Sequence, residues 1–118
     1  MSLPEFLRRR DINDGVETCR ATPGAVLLDV RDRSEYAEGH IAGSVNLPLG
    51  RLDSIDRFAP SPDTPLFVYC YSGRRSASAV AALREEGYTS VTNIGGIGQW
   101  DGPVEQGEIG RASCRERV

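Results

Sequence analysis

The stretch Leu66-Phe67-Val68-Tyr69-Cys70 restricts the fold more than any other part of the chain. It is uninterrupted by polar residues and rich in aromatic and β-branched ones, so it reads as a strand. A strand with one wet face alternates apolar and polar residues; one with no polar face must be covered on both sides. A second run of this kind, Ala25-Val26-Leu27-Leu28-Asp29-Val30, is broken only by Asp29. Two such strands far apart in the chain call for a parallel sheet with helices packed on it.

Helical signals stand where that arrangement needs them. Asp14-Gly15-Val16-Glu17 has the spacing of a capping box, predicting a helix from Asp14 to about Ala21 that Thr22-Pro23-Gly24 ends. Ser34 is the expected N-cap of a short helix that Gly39 stops. Leu52 to Phe58 reads as another helix. Ser76, Ala79, Val80 and Leu83 recur at i, i+3, i+4 and i+7, the period of a one-sided helix, which Gly87 closes. Short strands are expected at Ser44 to Leu47, halted by Pro48, and at Val91 to Ile94. Gly95 to Trp100 reads as a glycine-rich turn. The class is α/β, with a central, mainly parallel sheet flanked by helices.

The 118 residues suit one domain, expected over residues 12–107 after an N-terminal extension, 1–11. Residues 108–118, EIGRASCRERV, have neither apolar period nor turn logic. They back-translate to a string resembling a sequencing adapter read in frame, so they are expected to be a non-native or disordered tail. A net charge of −3 argues against a nucleic-acid binder. No apolar run is long enough to span a membrane, and no apolar stretch follows the basic start as in a signal peptide. Three widely spaced cysteines offer neither a disulfide framework nor a zinc pair, which fits a reducing, cytoplasmic setting.

Functional groups in parallel sheets gather beyond the carboxyl ends of the strands. Cys70 stands at one such end, followed by Tyr71-Ser72-Gly73-Arg74-Arg75-Ser76. Consecutive N–H groups in a tight turn can form an anion-binding nest, and the start of the next helix adds further donors and a positive dipole end. Gly73 permits backbone angles that a side chain forbids. Ser76 is expected to help cap the helix. A sulfur in such a cup is favoured as thiolate, the nucleophilic form. Arg74 and Arg75 add charge and bidentate donors for an oxyanion. The loop therefore suits attack on an anionic electrophile.

Three patches carry a family resemblance. LLDVRDRSEYAEGHIAGSVNLPL (27–49), CYSGRRS (70–76) and GYTSVTNIGGIGQW (87–100) are similar, in that order, to the signature, active-site loop and closing segment of the rhodanese family of sulfurtransferases. The resemblance implies a rhodanese-like fold and a persulfide mechanism. Cys70 would take the outer sulfur of thiosulfate or a related small anionic donor and pass it to a thiol or protein acceptor. The loop N–H groups from Tyr71 to Ser76 would cradle that sulfur, and Arg75 would help bind the anion. No metal or organic cofactor is implied. Cysteine phosphatases, the nearest rivals together with arsenate reductases, place arginine sixth after the cysteine. Here the sixth residue is Ser76, and the arginine comes one place early. The shorter cup suits one sulfur atom better than a phosphoryl group. A further alternative is a non-catalytic rhodanese-like binding or regulatory module, but such modules often lack the cysteine.

Other residues read as structural. Asp29 and Arg31 are expected to form an ion pair bracing the active-site end of the sheet. His40 is expected in a structural loop with its ring nitrogens bonded to backbone. Cys19 is expected to be packed, Trp100 to plug the core, and Arg8-Arg9-Arg10 to be a solvated end. Tyr71 and Arg74, at the loop mouth, are placed to tune which donor or partner is accepted.

Overall fold

The computed structural model describes residues 11–107. The terminal expectations, the arginine run and the 108–118 tail with Cys114, lie outside the described residues. The elements follow in the order α1 (Ile12–Ala21), β1 (Val26–Asp29), α2 (Arg33–Glu38), β2 (His40–Ile41), β3 (Val45–Asn46), a 3-10 segment (Leu49–Arg57), β4 (Leu66–Cys70), α3 (Arg74–Glu85), β5 (Val91–Gly96), a 3-10 turn (Ile97–Gln99) and β6 (Val104–Glu105).

Four strands form one parallel sheet in the order β3-β1-β4-β5. All five residues of β4, at its centre, are buried. Strand periodicity sorts them to two cores. Leu27, Phe67 and Tyr69 meet Ile12, Val16 and Cys19 of α1. Leu28, Leu66, Val68 and Cys70 face the other way, against Ala79, Val80 and Leu83 of α3 and Leu52 and Ile55 of the 3-10 segment. The catalytic candidate therefore belongs to the α3 side. No helix among the described residues is long and apolar enough to cross a membrane.

Several local expectations give way. Helix α1 starts at Ile12 because Asp11, not Asp14, is its N-cap, accepting from the N–H groups of Asn13 and Asp14 at 3.1 and 3.3 Å. The earlier start buries Ile12. Helix α2 is capped by Asp32 rather than Ser34, in a capping box closed by Glu35. The expected helix at Leu52 begins at Leu49 as 3-10 turns, with a kink at Arg51. The pairing of β2 with β6, antiparallel through His40–Glu105 and Ile41–Val104, was not foreseen; two-residue strands are too short to show a period.

Between β4 and β5 the register slips: Val68 pairs with Asn93, but Tyr69 pairs with Gly95. This one-residue irregularity lies where the sheet meets the loop after β4, and it sets the positions of Asn93, Gly95 and Gly96 beside that loop.

Candidate active site

Strand β4 ends at Cys70, and the chain must turn within three residues to start α3. Gly73, the N-cap, makes the turn with φ +99°, a left-handed conformation that side chains disfavour. The turn folds back on the sulfur. Cys70 Sγ accepts hydrogen bonds from the Gly73 N–H at 3.0 Å and the Ser76 N–H at 3.4 Å, and the Ser76 hydroxyl lies within reach at 3.5 Å. The residue is itself buried.

Burial is the largest influence on the Cys70 thiol and would raise its pKa. The Ser76 hydroxyl and the N–H groups of Ser76, Gly73 and Ser72 together outweigh it and bring the pKa below the ordinary thiol value. Cys19 shows the contrast. Burial pushes its thiol up to about 11, opposed only by the charge of Arg20. It packs in the α1 core, and among the described residues no donor meets its sulfur.

Contrary to expectation, Ser76 does not cap α3 with its side chain. The cap has no side-chain hydrogen bond, and the Ser76 hydroxyl donates to Asn93 Oδ1 at 2.7 Å. Asn93 was not anticipated, yet it braces the loop at two points. Its Oδ1 also accepts from the Gly95 N–H at 3.0 Å, and its Nδ2 donates to the Gly73 carbonyl at 3.1 Å.

The two loop arginines part ways. Arg74 is exposed. Arg75 donates from Nη1 and Nη2 to Glu35 Oε1 and Oε2 at 2.7 and 3.0 Å. Glu35 Oε1 also accepts the Asp32 N–H at 3.0 Å. The Arg75 hydrogen bonds hold the Glu35 carboxyl down at about 2, below the usual carboxylate range, and the same partnership raises Arg75. Tyr71 is exposed at the mouth, with 59% of its surface accessible. Ser72 is exposed too.

Asp29 and Arg31 are both buried and paired, Nη2 to Oδ2 at 2.8 Å. Burial alone would lower the Arg31 pKa; hydrogen bonds and charge from Asp29 lift it above the ordinary value. Arg31 also donates to the Gly39 carbonyl at 2.7 Å, at the far end of α2. The pair therefore fixes α2 on the sheet. Among the described residues, its hydrogen bonds do not run to the Cys70 loop.

His40 is fully buried, stacked on Tyr36 at 3.7 Å between ring centroids. Its Nδ1 meets the Tyr36 carbonyl at 2.8 Å, as a structural histidine should. Its Nε2 departs from expectation, facing Glu105 Oε1 at 3.8 Å with no hydrogen bond. Trp100 is half-buried against the α1 core and donates to the Pro103 carbonyl at 3.0 Å. Among the described residues, no group of three His, Cys, Asp or Glu side chains gathers as metal ligands.

A sequence model of the rhodanese-like domain matches residues 12–102. The chain is 41% identical over 78 residues to the thiosulfate sulfurtransferase GlpE of Pseudomonas fluorescens, covering 65% of this chain and 71% of that protein. It is 35% identical over 80 residues to the putative sulfur carrier protein YrkF of Bacillus subtilis, covering 67% of this chain and 43% of that protein. Two other curated relatives are matched over 64% and 25% of their length, so the chain spans only part of these proteins. Among solved structures, a rhodanese with anions from E. coli superposes with a TM-score of 0.66 at 34% identity, over 70% of this chain and 99% of that one.

Proposed function

The chain belongs to the rhodanese-like domain family, and on that premise we propose that it is a sulfurtransferase working through a persulfide on Cys70. The observation that carries the reading is the sulfur itself. It sits at the carboxyl end of the central parallel strand, held by two N–H donors with the Ser76 hydroxyl in reach, and shifted toward thiolate. A thiolate kept by hydrogen bonds needs no general base, so His40, buried against Tyr36 and facing Glu105, is not called on in this chemistry.

The Cys70 thiolate attacks the outer sulfur of thiosulfate. A new S–S bond forms as the bond to the inner sulfur breaks, and sulfite leaves with the electron pair. The product is Cys70 persulfide, whose terminal sulfur carries the negative charge that the loop donors then accommodate. An acceptor thiolate attacks that terminal sulfur and displaces the Cys70 thiolate unchanged. Ser72, Gly73 and Ser76 supply the cup, and Arg75 offers charge to the sulfonate part of the donor. Exposed Tyr71 and Arg74 face whatever acceptor approaches. Asp29 and Arg31 support the site indirectly, by fixing α2. The names of the relatives support the same class of reaction.

Intact mass after incubation with thiosulfate tests the reading. A gain of one sulfur atom is expected, removed by dithiothreitol and absent from Cys70→Ser. No gain in folded, reduced protein would overturn it for this donor. A chromogenic phosphate ester is expected to remain unhydrolysed, because the arginine lies one place too early for a phosphoryl cup.

A further inference from the structure

Of the two loop arginines Arg75 is the half-buried one, and it lies one residue before Ser76, whose N–H meets the sulfur. Its contact with Glu35 is end-on: one N–H from each Nη, at 2.7 and 3.0 Å. A guanidinium has five N–H donors. The end-on pair uses two. The Nε–H and the neighbouring outer Nη–H remain, parallel, as a second fork of the kind that suits an oxyanion. Among the described residues, no acceptor meets Nε of Arg75.

Glu35 is not free to follow Arg75 about. It closes the capping box of α2 by accepting the Asp32 N–H at 3.0 Å, and α2 is fixed to the sheet by the buried Asp29–Arg31 pair through the Gly39 carbonyl. The carboxylate is thus a fixed point, and the long side chain of Arg75 is tethered to it.

We propose that Glu35 is a positioning residue that sets anion selectivity at Cys70, by holding the Arg75 guanidinium end-on so that its remaining fork receives the oxyanion of the substrate. This deepens the sulfur-transfer reading and rests on it for the identity of that oxyanion, the sulfonate end of the donor. Charge alone makes the opposite prediction. Removing a carboxylate from the mouth makes it more positive, which should draw anions in. At this partly exposed site water screens the carboxylate's repulsion. The loss of a fixed guanidinium is not screened, because an untethered arginine must be ordered again each time it binds.

The sign separates the two accounts. Cys70 is alkylated with iodoacetate and with iodoacetamide, reagents of similar shape that differ in charge, and the ratio of rates is followed by peptide mapping. Dividing the rates cancels changes in thiol reactivity. Glu35→Gln and Glu35→Asp are both expected to lower the iodoacetate preference several-fold. Gln removes the charge; Asp keeps it but falls short by one methylene. Arg75→Gln is expected to abolish the preference, and Glu35→Gln to add nothing on that background. In thiosulfate turnover, Glu35→Gln is expected to raise KM by a larger factor than it lowers kcat. An unchanged or increased preference in folded Glu35→Gln, or wild-type behaviour in Glu35→Asp, would overturn the proposal. Loss of preference without persulfide formation in the wild type would uphold the role of Glu35 and overturn sulfur transfer from thiosulfate.

Discussion

The Ser76 hydroxyl lies between two acceptors, 2.7 Å from Asn93 Oδ1 and 3.5 Å from Cys70 Sγ. It has one proton to give. The shorter contact shows where that proton rests in this geometry. A hydroxyl rotates freely, so a sulfur that gains negative charge can draw the proton over. Asn93 Oδ1 is not then stranded, because the Gly95 N–H still reaches it at 3.0 Å.

Ser76→Ala is therefore expected to raise the Cys70 thiol pKa. A hydrogen bond to a charged group is worth about 1.5–3 kcal/mol, and this long one belongs at the low end. The alkylation rate of Cys70 against pH checks it. Because the folded pKa lies below the ordinary thiol value, wild-type reactivity persists as pH falls below that value and is lost only through the lower, folded one. In Ser76→Ala the loss comes at higher pH. Asn93→Ala is expected to act differently, loosening the loop through the Gly73 carbonyl while leaving the Ser76 hydroxyl free for the sulfur. A fall in rate with no movement of the profile to higher pH would mark it.

Gly96→Ala tests how closely β5 is pressed against the loop. A Cβ at Gly96 would lie 2.6 Å from Ser72 Cα and collide with the Tyr71 carbonyl. Both obstacles are backbone, so neither can swing away. Overpacking of this kind costs about 1–3 kcal/mol. Relief must come from moving the loop, so sulfur transfer is expected to fall further than stability does. Urea unfolding and persulfide formation on the same sample separate the two. Full activity in the variant would mean that the loop tolerates displacement.

Much of this was legible in the chain. The bounds of β4, Leu66 to Cys70, are legible because burial on both faces leaves an uninterrupted apolar signature. Cys70, Gly73 and the start of α3 were legible because a strand end, a turn and a helix start lie within a few residues. Glu35 was not. It lies 40 residues from Arg75 in sequence, and only the order of strands β1 and β4 brings the elements that follow them together. Asn93 was hidden for another reason: in Val91-Thr92-Asn93-Ile94 it looks like an outward strand residue, and only the register slip beside it reveals a role. The cap of α1 is ambiguous in sequence because two aspartates compete there, and the burial of Ile12 decides between them.

The two described cysteines are expected to behave oppositely. With its pKa raised to about 11 by burial, Cys19 is almost wholly protonated at neutral pH and is buried where α1 packs on the sheet. Peptide mapping after brief alkylation of native protein should show Cys70 modified and Cys19 untouched. Denaturation should expose both. Native labelling of Cys19 at a rate close to that of Cys70 would contradict the packing described for α1.

The buried Asp29–Arg31 pair links stability to the site. Removing one member leaves the other charged and out of water, which typically costs about 3–5 kcal/mol. Asp29→Asn takes the charge but leaves Arg31 its contact with the Gly39 carbonyl, so it should be the milder change. Arg31→Met strands a carboxylate that still accepts the backbone N–H of residue 31, and α2 loses its tether. With both substituted no charge is left to orphan, so the double variant should be more stable than the sum of the single losses implies. Urea unfolding of the four proteins measures that coupling; strict additivity would mean the pair does not act as a unit. If the pair steadies Arg75 through α2 and Glu35, Arg31→Met should also lower the iodoacetate preference at Cys70, under conditions where the variant is still folded.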